Sequence, residues 1–301
     1  MNPIPRWVKA GLGIALLGAL AVGAWFNHAQ GHRLRREVER DLAAIAQLKV
    51  EQITAWREER LGDAGILMES PFFRAGVVRW LDDPSTTHRE AILACFEGLR
   101  DHYGYHAVML IDLEGRLLLS LSNASANLHP PGRAAVEQAL EQRTPVLTEL
   151  HARDDSASPH VCVVAPVLST EARDARPVAA IVLGMNAHAF LYPLLQTWPT
   201  PSETAETLLV RREGDEVLFL NELRHRPDSA LKFRLPMSRE DLPAVMAVQG
   251  KQGVIREGRD YRGVPVIAVA QQVPGSSWHM IAKQDTAEAF AALRFRFMLR
   301  L

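Results

Sequence analysis

The sequence predicts an α+β protein in which an N-terminal transmembrane helix runs into a long stalk helix and two tandem antiparallel-sheet modules follow. Three observations carry this. An uncharged apolar run, Ala10 to Phe26, stands near the N-terminus. Behind it, apolar residues recur close to the 3.6-residue helical period as far as Glu69. From His106 the period becomes that of strands, and the order hairpin, helix, two long strands then occurs twice.

An α-helix needs roughly 20 apolar residues to cross the hydrocarbon core, so the first run is just long enough. Trp7, Trp25 and Phe26 lie at its ends, where aromatic residues favour the interface. Residues 1–9 then form a cytoplasmic tail and 10–27 the membrane helix. A cleaved signal peptide shares the basic start, Arg6 and Lys9, and offers small residues around Val22-Gly23-Ala24. Arg33, Arg35, Arg36 and Arg40 follow the run; the positive-inside rule alone would keep that side cytoplasmic.

The stalk and dimerisation helix, 28–70, has one face of Leu34, Val38, Leu42, Ile45, Leu48, Ile53, Trp56, Ala64 and Leu67 and a charged opposite face. About 40 helical residues span about 60 Å, longer than one small domain. Ser70-Pro71 breaks the helix and starts another, running to Leu81. Thr87 to Glu90 fits a capping box for a helix through Leu99.

The first module, 71–198, contains the hairpin His106–Ile111 and Arg116–Ser122, a helix at Gly132–Arg143, strands Pro145–Arg153, His160–Leu168 and Pro177–Asn186, and a closing helix Ala187–Trp198. The second, 199–285, repeats the order: Glu206–Arg212 with Glu216–Asn221, a helix capped by Ser238 through Gln249, then Val264–Val273 and Trp278–Gln284. Residues 286–301 turn helical and increasingly apolar, as an exit helix toward a second membrane segment would.

The net charge of −1 and the absence of a basic stripe exclude a nucleic-acid partner. Two cysteines, Cys95 and Cys162, exclude a cysteine zinc framework and a disulfide-dense scaffold. One disulfide is available to an exported chain, but both positions lie on apolar faces and read as buried thiols. No GxSxG, Walker A, HExxH or CxxC pattern occurs, so no catalytic residue and no cofactor are assigned.

The chain from Ala43 onward resembles the double Cache (dCache) sensor domains of bacterial transmembrane receptors, which are tandem PAS-like modules. The resemblance rests on Leu48-Lys49-Val50-Glu51-Gln52-Ile53 with Trp56, on Leu191-Tyr192-Pro193-Leu194-Leu195 with Trp198-Pro199, on Glu206 to Arg211 and Val217 to Asn221, and on Asp260-Tyr261-Arg262-Gly263-Val264 with Trp278. It implies an extracytoplasmic sensor in the bacterial inner membrane, with most of the chain in the periplasm. It also implies a homodimer through the stalk helix, and signal output through the exit helix to a histidine kinase or diguanylate cyclase module. On that basis residues 71–198 are membrane-distal and 199–285 membrane-proximal. A chemotaxis receptor, a periplasmic binding or hydrolytic protein with a cleaved leader, and a ligandless relay scaffold are the other readings. Amino-acid-binding members of the group use an aspartate near the last distal strand and an arginine–tryptophan–tyrosine cluster. Here Asn186 falls near the aspartate position and no such cluster is found.

Strand alternation puts Glu149, His151, His160 and Cys162 on one sheet face, with His151 opposite His160. Imidazole and thiolate suit zinc or copper, and a few polar groups among apolar walls suit an organic ligand. The reading taken is a pocket for a small molecule, with no metal assigned. Tyr105, Ser120, Ser122 and Arg153 flank the same sheet, and an arginine there can grip a carboxylate. With His151, His160 and Asn186 they make the candidate ligand-binding set. Trp198, Trp278 and Tyr192 read as packing anchors at the module junction.

Overall fold

The computed structural model describes residues 6–121, 128–153, 156–170 and 175–291, without the side chains of residues 6–17, 19–30, 32, 153, 156 and 157. Helix α1 (Arg6–Glu69) is a single 64-residue helix. Its backbone carries the apolar run Ala10–Phe26 directly into the spine, while the side chains that would face a bilayer lie outside the described residues. Among the described residues no helix is long and apolar enough to cross a membrane.

The apolar stripe of α1 carries both modules. Leu42 and Ala46 pack against Ile267, Val269 and Ala282, and Val50, Ile53, Trp56, Ala64 and Leu67 enter a larger core. Leu48, expected on the stripe, is half exposed instead. At Ser70 the helix ends: its hydroxyl accepts the Phe73 N–H at 3.3 Å, and Pro71 opens α2 (Pro71–Asp82). Helix α3 (Thr86–Tyr103) is capped by Ser85, which accepts the His88 N–H, two residues earlier than the capping box at Thr87 predicts. Gly104, at φ 73°, supplies the left-handed turn that ends it.

The first sheet comprises β1 (Ala107–Ile111), β2 (Leu117–Ser120), β3 (Val146–Leu147), β4 (His151–Arg153), β5 (Ser156–Leu168) and β6 (Pro177–Asn186), with α4 (Pro130–Gln142) between β2 and β3. Its order is β2-β1-β6-β5-β3, with β4 also on β5. The predicted strand Pro145–Arg153 is broken because Thr148 takes over the pairing. Its N–H donates to the Cys162 carbonyl at 2.8 Å and its hydroxyl accepts the Cys162 N–H at 2.9 Å.

After the short α5 (Leu191–Gln196) come β7 (Glu206–Glu213), β8 (Glu216–Phe219), β9 (Arg234–Pro236), α6 (Pro243–Val248), β10 (Gly253–Arg259), β11 (Pro265–Gln272), β12 (His279–Asp285) and the one-turn α7 (Thr286–Ala289). The second sheet runs β10-β11-β12-β7-β8-β9. Its first five strands, reversed, repeat β2-β1-β6-β5 and the β3/β4 edge, so the duplication is one of topology. Strands β9 and β10 are absent from the sequence reading. Helix α6 starts at Pro243 rather than after Ser238, because proline at the first helical position fixes the start and Leu242 becomes the N-cap.

The first sheet is apolar on both faces. Val161, Val163, Ile181 and Leu183 face the core shared with α1 and α3; Cys162, Val164, Ala180 and Val182 face α4. Cys95 packs on the first side and Cys162 on the second, and neither forms a disulfide.

In the second module β10 crosses α6 closely. A Cβ on Gly258 would lie 2.9 Å from Pro243 Cγ and 3.4 Å from the Asp241 carbonyl oxygen. The ring cannot swing away without moving the start of α6. Gly258→Ala is expected to lower stability by about 1–3 kcal/mol; an unchanged urea midpoint would show that α6 yields without cost.

Candidate functional site

The α4 face of the first sheet gathers the site. Register pairs His151 with His160 and His160 with Asn186, so three strands present these residues in one row. The imidazoles of His151 and His160 stand 4.2 Å apart between centroids, and both are buried. One row along, Cys162 pairs with Gly184 and Gly184 with Ala107. The ligating atoms of His151, His160 and Cys162 all lie within 4.8 Å of one another.

Two histidines missed by the sequence reading complete the surroundings. His106, just before β1, has its ring 6.3 Å from that of His160. It leans over Gly184, where a Cβ would come within 3.2 Å of His106 Cε1 and 3.1 Å of Ala107 Cβ. His129, the N-cap position of α4, lies 6.3 Å from the His151 ring. The legible signal was Gly184 itself, since glycine inside an apolar strand marks a close approach.

Backbone carbonyls orient both central imidazoles. His151 Nδ1 is 2.8 Å from the Glu149 carbonyl oxygen, and His160 Nδ1 is 3.2 Å from that of Ser158. A carbonyl can only accept, so Nδ1 carries the hydrogen in each neutral ring and the lone pair belongs to Nε2.

The remaining predicted residues divide. Ser120 pairs with Met109, which packs toward α4, so it shares the face but stands strands away from the histidines. Asn186 is in the histidine row, yet its side chain accepts the His188 N–H at 2.9 Å and shapes the turn after β6. Tyr105 is on the other side of the sheet, in the core with α1 and α3. Its hydroxyl donates to Asp63 at 2.7 Å, and burial together with that bond pushes its pKa well above the ordinary phenol value. Ser122 and the side chain of Arg153 lie outside the described residues.

Glu149 is not on the histidine face, because the break at Thr148 ends the alternation. Its carboxylate instead reaches the second module, accepting the Trp278 Nε1–H at 2.5 Å and the Ser277 hydroxyl at 2.9 Å, with Arg211 at 3.4 Å. Trp278 is fully buried and the Arg57 guanidinium of α1 lies 5.0 Å over its ring, so it is both an anchor and a cation–π partner. Tyr192 anchors the junction from α5, its hydroxyl donating to the Leu220 carbonyl at 2.7 Å.

The second module has a 560 Å³ cavity whose lining includes Trp198, Glu206, Asn221 and Arg224. Behind it Lys283 is fully buried, 2.9 Å from Asp260 and 3.1 Å from Glu206. Arg262 and Tyr261 complete this network. These charges are spent on one another, which is a structural arrangement.

No family model matches the chain, and no curated protein matches its sequence. Solved structures do. The ligand-binding domain of Mlp24 with asparagine is 17% identical, with a TM-score of 0.60 over 87% of this chain and 99% of that one. The ligand-binding domain of the amino-acid chemoreceptor PctC of Pseudomonas aeruginosa PAO1, in complex with GABA, is 18% identical, with a TM-score of 0.55 over 82% and 99%. A domain attributed to a sensory box/GGDEF family protein of Vibrio parahaemolyticus is 15% identical, with a TM-score of 0.54 over 86% and 98%. At these identities the likeness is one of fold: the chain has the architecture of receptor sensor domains, as the double Cache resemblance implies.

Proposed function

We propose that this chain is the extracytoplasmic ligand-sensing region of a bacterial membrane receptor, binding a small molecule on the α4 face of the first sheet. The observation that carries the reading is the convergence of His106, His151, His160 and Cys162 on one face of an otherwise apolar sheet, where polar groups are costly unless used. In this reading the run 10–27 spans the membrane and the first module is distal to it. The chain pairs with a second copy along α1, where Leu48 and Ile66 are exposed.

Binding shifts the balance between two arrangements of the pair and moves the segment after β12 relative to α1, toward a cytoplasmic kinase or cyclase module. The junction supports such a relay. Glu149 joins the histidine strand to Trp278, and Glu288 on α7 accepts the Ser202 hydroxyl at 2.8 Å and the N–H groups of Glu203 and Thr204 at 3.0 Å. The similarity to a chemoreceptor domain favours a second reading, the same sensor on a chemotaxis receptor.

The test is a thermal-shift screen of metabolites, amino acids included, on the full chain in detergent. A ligand at about 100 times its Kd stabilises by about 2.7 kcal/mol, a readily visible shift. The shift should vanish in His160→Ala and persist in Tyr105→Phe. A hit indifferent to His160, or one abolished by changes around the second-module cavity, would move the site off the α4 face.

A further inference from the structure

We infer that His151, His160 and Cys162 form a binding site for a borderline transition-metal ion, zinc(II) foremost. The inference deepens the sensing reading and rests on it for its functional meaning. Three features carry it. First, a ring nitrogen of His151, one of His160 and the Cys162 Sγ already lie within 4.8 Å of one another on the adjoining strands β4 and β5. Bond lengths of about 2.0–2.3 Å put the ligand atoms of a tetrahedral zinc site with two imidazoles and one thiolate about 3.3–3.6 Å apart. The closure needed is at most about 1.5 Å, within the reach of side-chain rotation on a fixed sheet.

Second, the donor set fits the ion. Two imidazole nitrogens and one thiolate are the ligands of zinc-type ions and a poor match for magnesium or calcium, which take oxygen. Third, both imidazoles are oriented as metal ligands are. Each donates Nδ1–H to a backbone carbonyl, at 2.8 Å for His151 and 3.2 Å for His160, which places the lone pair on Nε2 and fixes the ring. A pair of histidines retained only for packing has no need of this shared tautomer.

Ligation releases the Cys162 thiol proton to solvent and leaves the ion with three protein ligands. The nearest further imidazole for a fourth position is His106, whose ring stands 6.3 Å from that of His160 and leans over Gly184. That position takes either the His106 imidazole or a donor atom of an incoming molecule. A three-ligand ion with one exchangeable position makes the face responsive to the metal itself or to a metal-binding small molecule. Because the Glu149 carbonyl accepts from His151, closure around the ion also pulls on the residue that bridges to Trp278.

The experiment uses the full chain in detergent, reduced and stripped with a chelator, titrated with cobalt(II) and then zinc(II). One equivalent of cobalt(II) should produce a thiolate-to-cobalt charge-transfer band in the near ultraviolet, and zinc(II) should displace it. Cys162→Ser should lose the band. His160→Gln should weaken zinc binding by more than the roughly 10–100-fold that an outer-shell change costs. His102→Gln, an exposed residue of α3, should leave both unchanged. No band in the wild-type protein, or a band that survives Cys162→Ser, overturns the inference; the wild-type spectrum decides it if a variant fails to fold. If metabolites stabilise the stripped protein through His160 while cobalt(II) gives no band, only the metal site falls. If zinc(II) binds and no metabolite does, the organic-ligand reading falls and the metal site stands.

Discussion

Lys283→Met is expected to lower stability by about 3–5 kcal/mol, the usual loss when one partner of a buried ion pair is removed. Lys283 has no exposed surface and bridges Asp260, 1% exposed, and Glu206, 6% exposed. Methionine of similar length fills the space but leaves two buried carboxylates without the cation they share, Asp260 keeping only the Arg262 cation at 2.7 Å. The penalty therefore comes from the survivors rather than from the lost bonds. A triple variant adding Asp260→Asn and Glu206→Gln should recover part of the loss, because neutral partners can be desolvated at lower cost.

The pH dependence gives an independent reading. Burial opposes ionisation of Asp260, but the hydrogen bond and charge of Lys283 and the hydrogen bonds from Arg262 outweigh it and hold its pKa below the ordinary carboxylate value. A depressed carboxylate contributes stability that is fully present above its unfolded pKa, about 3.9, and is lost as pH falls through the lower folded value. The gap between wild type and Lys283→Met should thus be full at neutral pH and narrow below about pH 4. Urea unfolding at both pH values measures it; a gap that is constant with pH would mean Asp260 is not the group left stranded.

The fold was legible where local chemistry and tertiary need agree. Ser70-Pro71 breaks the spine because hydroxyl cap and proline act within one turn, and the structure uses both. Gly115 and Gly214, at φ 81° and 60°, mark the two hairpins because their turns require a left-handed residue. Strand β6 was read to its last residue from an unbroken apolar run. Failures cluster where a distant partner decides. Strands β9 and β10 are edges of the second sheet, made by pairing with β8 and β11 rather than by their own mixed sequences. The break at Thr148 needs Cys162, fourteen residues on.

That same break explains why only part of the histidine–cysteine cluster was legible. His151 and His160 flank one short turn, so their pairing follows from the turn alone. Cys162 follows from alternation within β5. Glu149 precedes the break, and alternation carried across it assigns the wrong face. His106 and His129 reach the site through β6 and α4, long-range placements that no local pattern encodes. Tyr105 lies on the other side of the sheet for the opposite reason: it precedes the strand, where alternation has not begun, and its partner Asp63 belongs to the spine.

Trp278→Ala is expected to cost about 3–5 kcal/mol, since a fully buried indole leaves a cavity at the meeting of α1, the first sheet and the second. Trp278→Phe separates the parts of that effect. The ring still fills most of the space and still lies under Arg57, but the N–H to Glu149 is gone. Glu149 keeps Ser277 and Arg211, so the expected loss is about 1–3 kcal/mol. A double-mutant cycle with Glu149→Gln should return an interaction energy of about 0.5–3 kcal/mol. An energy near zero would mean that the Trp278–Glu149 bond does not couple the two modules. The contact matters because of its position: Glu149 offers its carbonyl to His151 on one side and its carboxylate to Trp278 on the other. If ligation reorients the His151 ring, it alters the first bond, and the second is the route to the strand that leads into α7. In Trp278→Phe, ligand-dependent protection of β12 amides in hydrogen exchange should disappear while binding at the histidine face persists. Protection that survives the substitution would assign the coupling to α1 instead, which also touches both sheets.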